Sequence, residues 1–260
     1  MIDAHCHLTF RNFEVNRDEI VKDSMESMDA VIDSAPSTGD SEKSIKLAEK
    51  YPNFVFSCVG LHPEEIPRLS QKQIDSHVEF IKSNANKIAA IGEVGIDNFH
   101  VKNEGDRKKC AEVFTQFIGL AKEINKPLVI HSREDNGEAI RLLERNDAEK
   151  VIMHCFGAEA FCKTVISNGW FASIPTLIVR SNKHKRIARQ TPLELILTET
   201  DSPFLSPVQG GTNVPKNVRH VVEAVAAEKG ITFAEADEAT TGNAIRAFGL
   251  PISAKREKES

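Results

Sequence analysis

The chain reads as an α/β protein, a (β/α)8 TIM-like barrel forming a single domain over residues 1–260. Three features predict this. Short apolar runs recur at a regular interval, amphipathic segments fill the gaps, and His, Glu and Asp residues collect where the runs end. Strands that alternate with helices pair in parallel through right-handed crossovers, and eight such units close naturally into a barrel. A doubly wound open sheet is the structural alternative.

The runs cover residues 1–7, 29–34, 53–59, 87–93, 127–131, 150–155, 169–174 and 194–198. Helical spacing is clearest in Ala111, Phe114, Phe117, Ile118, Ala121 and Ile124, with weaker versions over 20–28, 41–49, 73–84, 138–144, 158–167 and 180–189. Residues 35–40 and Gly60-Leu61-His62-Pro63 break the periodicity just after a strand and read as loops. Beyond the eighth run, 202–211 is a long irregular loop. Two helices, about 215–229 and 233–248, then finish the domain, and 254–260 is a charged, frayed end.

Composition narrows the function classes. With 40% apolar and 27% charged residues the chain can bury a substantial core. The net charge of −5 provides no overall basic footprint, so a nucleic-acid partner must be held locally, by a metal or a basic patch. Five scattered cysteines read as small buried apolar residues in a reducing compartment. There is no charged-then-apolar leader and no apolar run of ~18 residues, so a cytoplasmic monomer without membrane contact is expected.

The functional signal lies at the ends of the runs. Alternation along the first strand puts His5 and His7 on one face and Cys6 on the other. Two imidazoles converging in this way suit a metal ion. Glu93 closes the fourth run, His131 the fifth and His154 the sixth, while Asp201 follows the eighth. In a parallel barrel these carboxyl ends share one rim, where active sites of this architecture are built. Facing carboxylates are costly unless cations compensate them. Six ligands exceed what one tetrahedral ion takes, which points to two divalent ions about 3.5 to 4 Å apart. His5, His7 and Asp201 are assigned to one, His131 and His154 to the other, with Glu93 bridging. Zinc, magnesium or manganese would suit such a set.

The stretches Asp3-Ala-His-Cys-His-Leu8, Gly60-Leu-His-Pro63, Ile91-Gly-Glu-Val-Gly-Ile-Asp97, Lys126-Pro-Leu-Val-Ile-His-Ser-Arg133, His154-Cys-Phe156 and Glu199-Thr-Asp-Ser-Pro203 resemble the TatD-type metal-dependent deoxyribonucleases of the amidohydrolase superfamily. The resemblance implies a TIM-like barrel and hydrolysis of nucleic-acid phosphodiesters, often from a 3′ end, DNA before RNA. It implies the same six ligands. Departures fall in loops that would contact substrate: Asn98-Phe99-His100 after Asp97, Gly157-Ala158 after Phe156, and Gly211-Thr212-Asn213-Val214-Pro215 beyond the last strand.

Further roles follow from position. Asp201 is assigned as acceptor of the proton from an activated water, with Glu93 beside it. His62 is placed to donate to a phosphate oxygen or the leaving group. Arg133 offers a planar fork suited to phosphate. Lys183 and Lys185 lie in the basic run 180–189, which is either a solvated helix face or a grip on a nucleic-acid backbone. Asp3, Asp97 and Glu199 are expected to orient ligand imidazoles from behind. No row of exposed aromatics forms a base-stacking platform, with one Trp and one Tyr in the chain, although the Phe residues could serve in part. Two other readings stay open: a hydrolase of a small C–N or ester substrate on the same barrel, and a metal-binding protein without catalysis.

Overall fold

The computed structural model describes residues 1–208 and 210–253, so the charged end at 254–260 lies outside the described residues. Eight parallel strands lie side by side in chain order: β1 (Ile2–Cys6), β2 (Ala30–Ala35), β3 (Val55–Val59), β4 (Ala90–Asp97), β5 (Leu128–Arg133), β6 (Val151–Met153), β7 (Phe171–Pro175) and β8 (Ile196–Glu199). One helix follows each of the first seven: α1 (Arg17–Met25), α2 (Thr38–Lys50), α3 (Gln71–Ser83), α4 (Glu104–Glu123), α5 (Asn136–Arg145), α6 (Cys162–Ser167) and α7 (Asn182–Gln190). Two more, α8 (Val218–Lys229) and α9 (Phe233–Phe248), follow β8. The result is the TIM-like barrel that the alternation predicts, not an open sheet. Its seam closes where β1 meets the turn after β8: Asp201 N–H donates to the His5 carbonyl at 2.9 Å and His7 N–H to the Ser202 carbonyl at 2.7 Å.

Helices start where caps permit rather than where apolar periodicity begins. Ser37 accepts from Asp40 N–H, so α2 begins at Thr38 and the expected loop at 35–40 shrinks to Pro36 and Ser37. Asn103 caps α4, which therefore begins well before the apolar repeat at Ala111.

Two apolar layers hold the barrel. Ile91, Val94 and Ile96 belong to an outer layer with Phe114, Phe117 and Trp170 between strands and helices. Inside the lower barrel, Ile2, Ala4, Ala30, Ile32, Cys58, Ala90, Val129, Ile152 and Leu197 pack together, closed from below by Phe248 and Leu250. Burying an Ile or Leu here contributes about 2 kcal/mol.

Two strands slip phase on the way up. Asp3 pairs with Val31 but Cys6 pairs with Asp33, so β1 spends one residue more than β2 over that interval. Ile91 pairs with Leu128 and Val94 with Ile130, the same excess in β4. Such a bulge shifts which side chains face the lumen. Below it Ile2 and Ala4 face inward; above it Cys6 and Leu8 pack outside with Phe13 and Val222. β4 also runs past Glu93, which was expected to end it. Gly95 makes the extension possible: its φ is +145°, and a Cβ there would lie 2.0 Å from the His131 carbonyl oxygen.

Candidate metal centre

His5, His7, Glu93, His131, His154 and Asp201 converge at the carboxyl end of the barrel. Glu93 sits between the histidines with one oxygen toward each pair. Its Oε2 lies 3.4 Å from His5 Nε2 and 3.9 Å from His7 Nε2. Its Oε1 lies 2.7 Å from His131 Nδ1 and 3.6 Å from His154 Nε2. Asp201 Oδ1 is 3.3 Å from His7 Nε2, 3.8 Å from His5 Nε2 and 3.9 Å from His154 Nε2. These residues are buried, apart from the partly exposed His131 and Asp201.

The far sides of the rings are tied back. His7 Nδ1 donates to the Ser34 carbonyl at 2.9 Å, His131 Nε2 to Asp97 Oδ2 at 3.0 Å, and His154 Nδ1 to Glu199 Oε2 at 3.1 Å. A ring that donates from its outer nitrogen presents a lone pair inward, which is the state a metal requires. His5 Nδ1 is buried without a hydrogen-bond partner, and its ring stacks on His154 with centroids 3.6 Å apart.

Four carboxylates, Glu93, Asp97, Glu199 and Asp201, crowd this small volume, and the imidazoles respond. Burial opposes protonation of His154, but the charges of Glu199 and Glu93 lift it to about 10. Burial likewise opposes a charge on His131, and hydrogen bonds to Asp97 and Glu93 lift it to about 9. Burial would raise Glu93, yet the charge of His154 and the hydrogen bond from His131 hold its carboxyl well below the usual carboxylate range. The centre therefore calls for positive charge, supplied by protons here and replaceable by a cation. Backbone strain accompanies it: Cys155 and Asp201, neither a glycine, have φ of 45° and 57°.

The remaining predicted residues divide. His62 Nδ1 accepts Glu64 N–H at 3.2 Å, leaving Nε2–H aimed inward, 3.7 Å from Glu93 Oε1. Burial lowers this imidazole to about 3, so it stays neutral. Asp97 and Glu199 reach His131 and His154, as stated above. Asp3 does not reach an imidazole: the bulge in β1 takes it out of phase with His5, and it accepts instead from Thr200 N–H and Thr200 Oγ1 at 2.8 and 2.5 Å. It braces the seam. Arg133 makes no ion pair among the described residues; its guanidinium lies over the Phe99 ring at 4.0 Å. Lys183 runs past Gly157, beside His154, where an added Cβ would come 3.1 Å from its Nζ. Lys185 is half-buried on α7.

The basic run on α7 is not a continuous cationic surface, because Arg186 pairs with Glu159 and Arg189 with Glu228, each at 2.8 Å. Cys155 is partly exposed, whereas the other four cysteines are buried as expected, and all five are free. Sequence reasoning missed His100 and Glu64. His100 Nδ1 stands 2.9 Å from Asp97 Oδ2 and 3.1 Å from Glu64 Oε1, extending the network behind His131. Its three-residue spacing from Asp97 was the available signal. Among the described residues no helix is long and apolar enough to cross a membrane.

Comparison with known proteins gives the family and the fold. A family model described as TatD related DNase matches residues 2–249. A human protein named deoxyribonuclease TATDN3 is 34% identical over 258 residues, which cover 95% of this chain and 94% of that protein. A protein of Methanocaldococcus jannaschii named as an uncharacterized metal-dependent hydrolase is 33% identical over 248 residues, covering 95% and 96%. The crystal structure of a TatD homolog from Escherichia coli, YJJV, superposes with a TM-score of 0.88 at 23% identity, over 96% of this chain and 98% of that one. It shows the same fold.

Proposed function

The chain belongs to the TatD related DNase family of metal-dependent hydrolases, and from that premise we propose that it cleaves phosphodiester bonds of nucleic acid, DNA in preference to RNA, from a 3′ end. The observation that carries the reading is Glu93, which turns one carboxylate oxygen to His5 and His7 and the other to His131 and His154. The donor set fits divalent cations: imidazoles that turn a nitrogen inward and present a lone pair there once a cation replaces the proton, carboxylates in excess, and a buried geometry whose negative charge calls for compensation. His5, His7 and Asp201 would hold one ion and His131 with His154 the other, Glu93 serving both. Zinc, magnesium or manganese bound there would lower the pKa of a water and offset charge on the phosphate.

The protein's own groups supply the rest. Asp201 stands beside His7 with its carboxyl held below the usual range: burial opposes this, and the hydrogen bond from His7 and the charge of His154 outweigh it. It is thus an ionised acceptor for the proton of the attacking water. His62, neutral and with Nε2–H directed inward, donates to a phosphate oxygen. Arg133, at the end of β5, and Lys183, on the helix after β7, attract the strand.

The test is a metal-supplemented assay with end-labelled single-stranded DNA, RNA and a chromogenic phosphodiester, run beside Glu93→Ala. DNA shortened from its 3′ end is expected, with loss of turnover in the variant. Asp201→Asn is expected to keep the fold and lose at least about a hundredfold in rate, the scale of a removed proton acceptor. A near-normal rate in that variant would remove Asp201 from the role.

A further inference from the structure

Exposed large apolar side chains are few among the described residues, and both exposed phenylalanines, Phe99 and Phe204, belong to loops at the barrel mouth. Phe99 is covered on a face by the Arg133 guanidinium at 4.0 Å, with Lys102 Nζ 5.2 Å from the ring centre. Phe204 is different. It is 47% exposed, and its aromatic neighbours are the metal-type His7 and Phe10. His7 and Phe10 stack at 4.4 Å with ring planes 19° apart, and Phe204 stands nearly perpendicular to both at 6.0 Å.

The backbone around this ring is pinned. Phe204 N–H donates to the Asp201 carbonyl at 2.9 Å, Thr176 Oγ1 to the Leu205 carbonyl at 2.5 Å, and Arg180 Nη1 to the Ser206 carbonyl at 2.7 Å. A ring left about half exposed on a fixed loop buries only part of its apolar area in the fold and keeps the rest for a ligand. Its hydrogen bond to Asp201 fixes its place relative to the reacting centre. A flat π-face fixed in this way, beside a site that handles phosphate, suits a nucleobase, since bases of every identity stack on aromatic rings.

We propose that Phe204, backed by the stacked rings of Phe10 and His7, is a stacking platform for the base of the nucleotide that carries the scissile phosphodiester. The inference rests on the nuclease reading above. It adds how a strand end is seated without reading its sequence: phosphate at the polar centre, base on the ring.

The test uses the full chain with manganese and a short phosphorothioate-linked single strand carrying 2-aminopurine at its 3′ terminus, with a second strand labelled at mid-length. Stacking quenches that fluorophore. The wild-type chain is expected to quench the terminal label more than the internal one. Phe204→Ala should abolish the difference and weaken binding roughly 5- to 150-fold, with the melting temperature unchanged, whereas Phe204→Trp should restore both. If Phe204→Ala quenches and binds like wild type while wild type degrades DNA, the platform is overturned and the nuclease reading stands. If wild type quenches the terminal label but hydrolyses no phosphodiester, the platform is supported and the nuclease reading falls. Absence of both quenching and hydrolysis overturns the two together.

Discussion

β1 and β4 deliver His5, His7 and Glu93 through a slip in the pleat, whereas β5 and β6 deliver His131 and His154 on unbroken alternation, and Asp201 follows β8 on a left-handed residue. On the regular side the residue two below each ligand is already a lumen residue, Val129 under His131 and Ile152 under His154. On the bulged side an extra residue must be absorbed first, and glycines make room: a Cβ at Gly92 would meet Val129 Cβ at 2.6 Å, and one at Gly95 the His131 carbonyl oxygen at 2.0 Å. One arc thus relies on side-chain chemistry added to an ordinary sheet. The other relies on an unusual backbone. Substitutions in the two should fail differently, on folding in the bulged pair and on metal affinity in the regular arc.

The sharpest way to break that contrast is Gly95→Ala. A methyl group 2.0 Å from a backbone oxygen, at a positive φ, should cost at least about 4 kcal/mol of stability. Urea unfolding, or the yield of soluble protein, reads this out, and a variant as stable as wild type would mean that β4 is not constrained by its bulge.

Glu199→Gln probes the regular arc. Glu199 ends β8, and its side chain stands behind the ligand, accepting from His154 Nδ1 and from Cys155 N–H, the latter at 2.8 Å. Metal affinity measured by titration should fall about 10- to 100-fold while the unfolding midpoint of the metal-free protein moves little. A large loss of metal-free stability would instead place that residue among the fold's own supports.

A smaller effect comes from His77 on α3, whose Nε2 donates to the carbonyl of Gly60 at 3.2 Å, against the glycine packed on Gly92. Burial lowers this imidazole to about 4 from an ordinary 6.5. The unfolded chain therefore takes up a proton below about pH 6.5 that the folded chain refuses. Stability present above that pH is lost as pH falls toward about 4, with roughly 1 kcal/mol gone by pH 5.5. His77→Gln keeps a donor for Gly60 and should flatten the change in stability between pH 7 and 5.5 by that amount. An unaltered pH profile would exclude the histidine as its source.

The smallest expected change is a gain. Gly119 lies exposed in α4 with no atom within 4 Å of a would-be Cβ, so Gly119→Ala should stabilise by about 0.5 to 1 kcal/mol in thermal or urea unfolding. Against Gly95→Ala it gives the same chemical change with the opposite sign, decided by backbone angle and neighbours alone.

Legibility in the sequence follows the same division. His131, His154, Glu199 and Asp201 keep one parity along their strands, so reading alternation upward from the apolar residues finds them. Asp3 escapes this reading because the bulge in β1 breaks the alternation between it and His5. Glu93 stands out by its place between the histidines, but the strand's continuation to Asp97 does not, since Gly95 looks like a strand breaker until its neighbour on β5 is known. His100 and Phe204 sit in loops, and loops carry no period from which direction can be read.

Amino-acid order alone determined the barrel, because eight apolar runs separated by amphipathic segments leave few other ways to bury their surface. It also determined which six side chains are metal-type, since their chemistry is fixed by residue type. Tertiary structure decided how Glu93 divides its two oxygens, that Asp3 braces the seam instead of an imidazole, and that Phe204 faces water beside Asp201. Those depend on a one-residue slip in two strands and on hydrogen bonds between segments nearly two hundred positions apart, such as Thr200 to Asp3, and a period read locally along the chain contains neither.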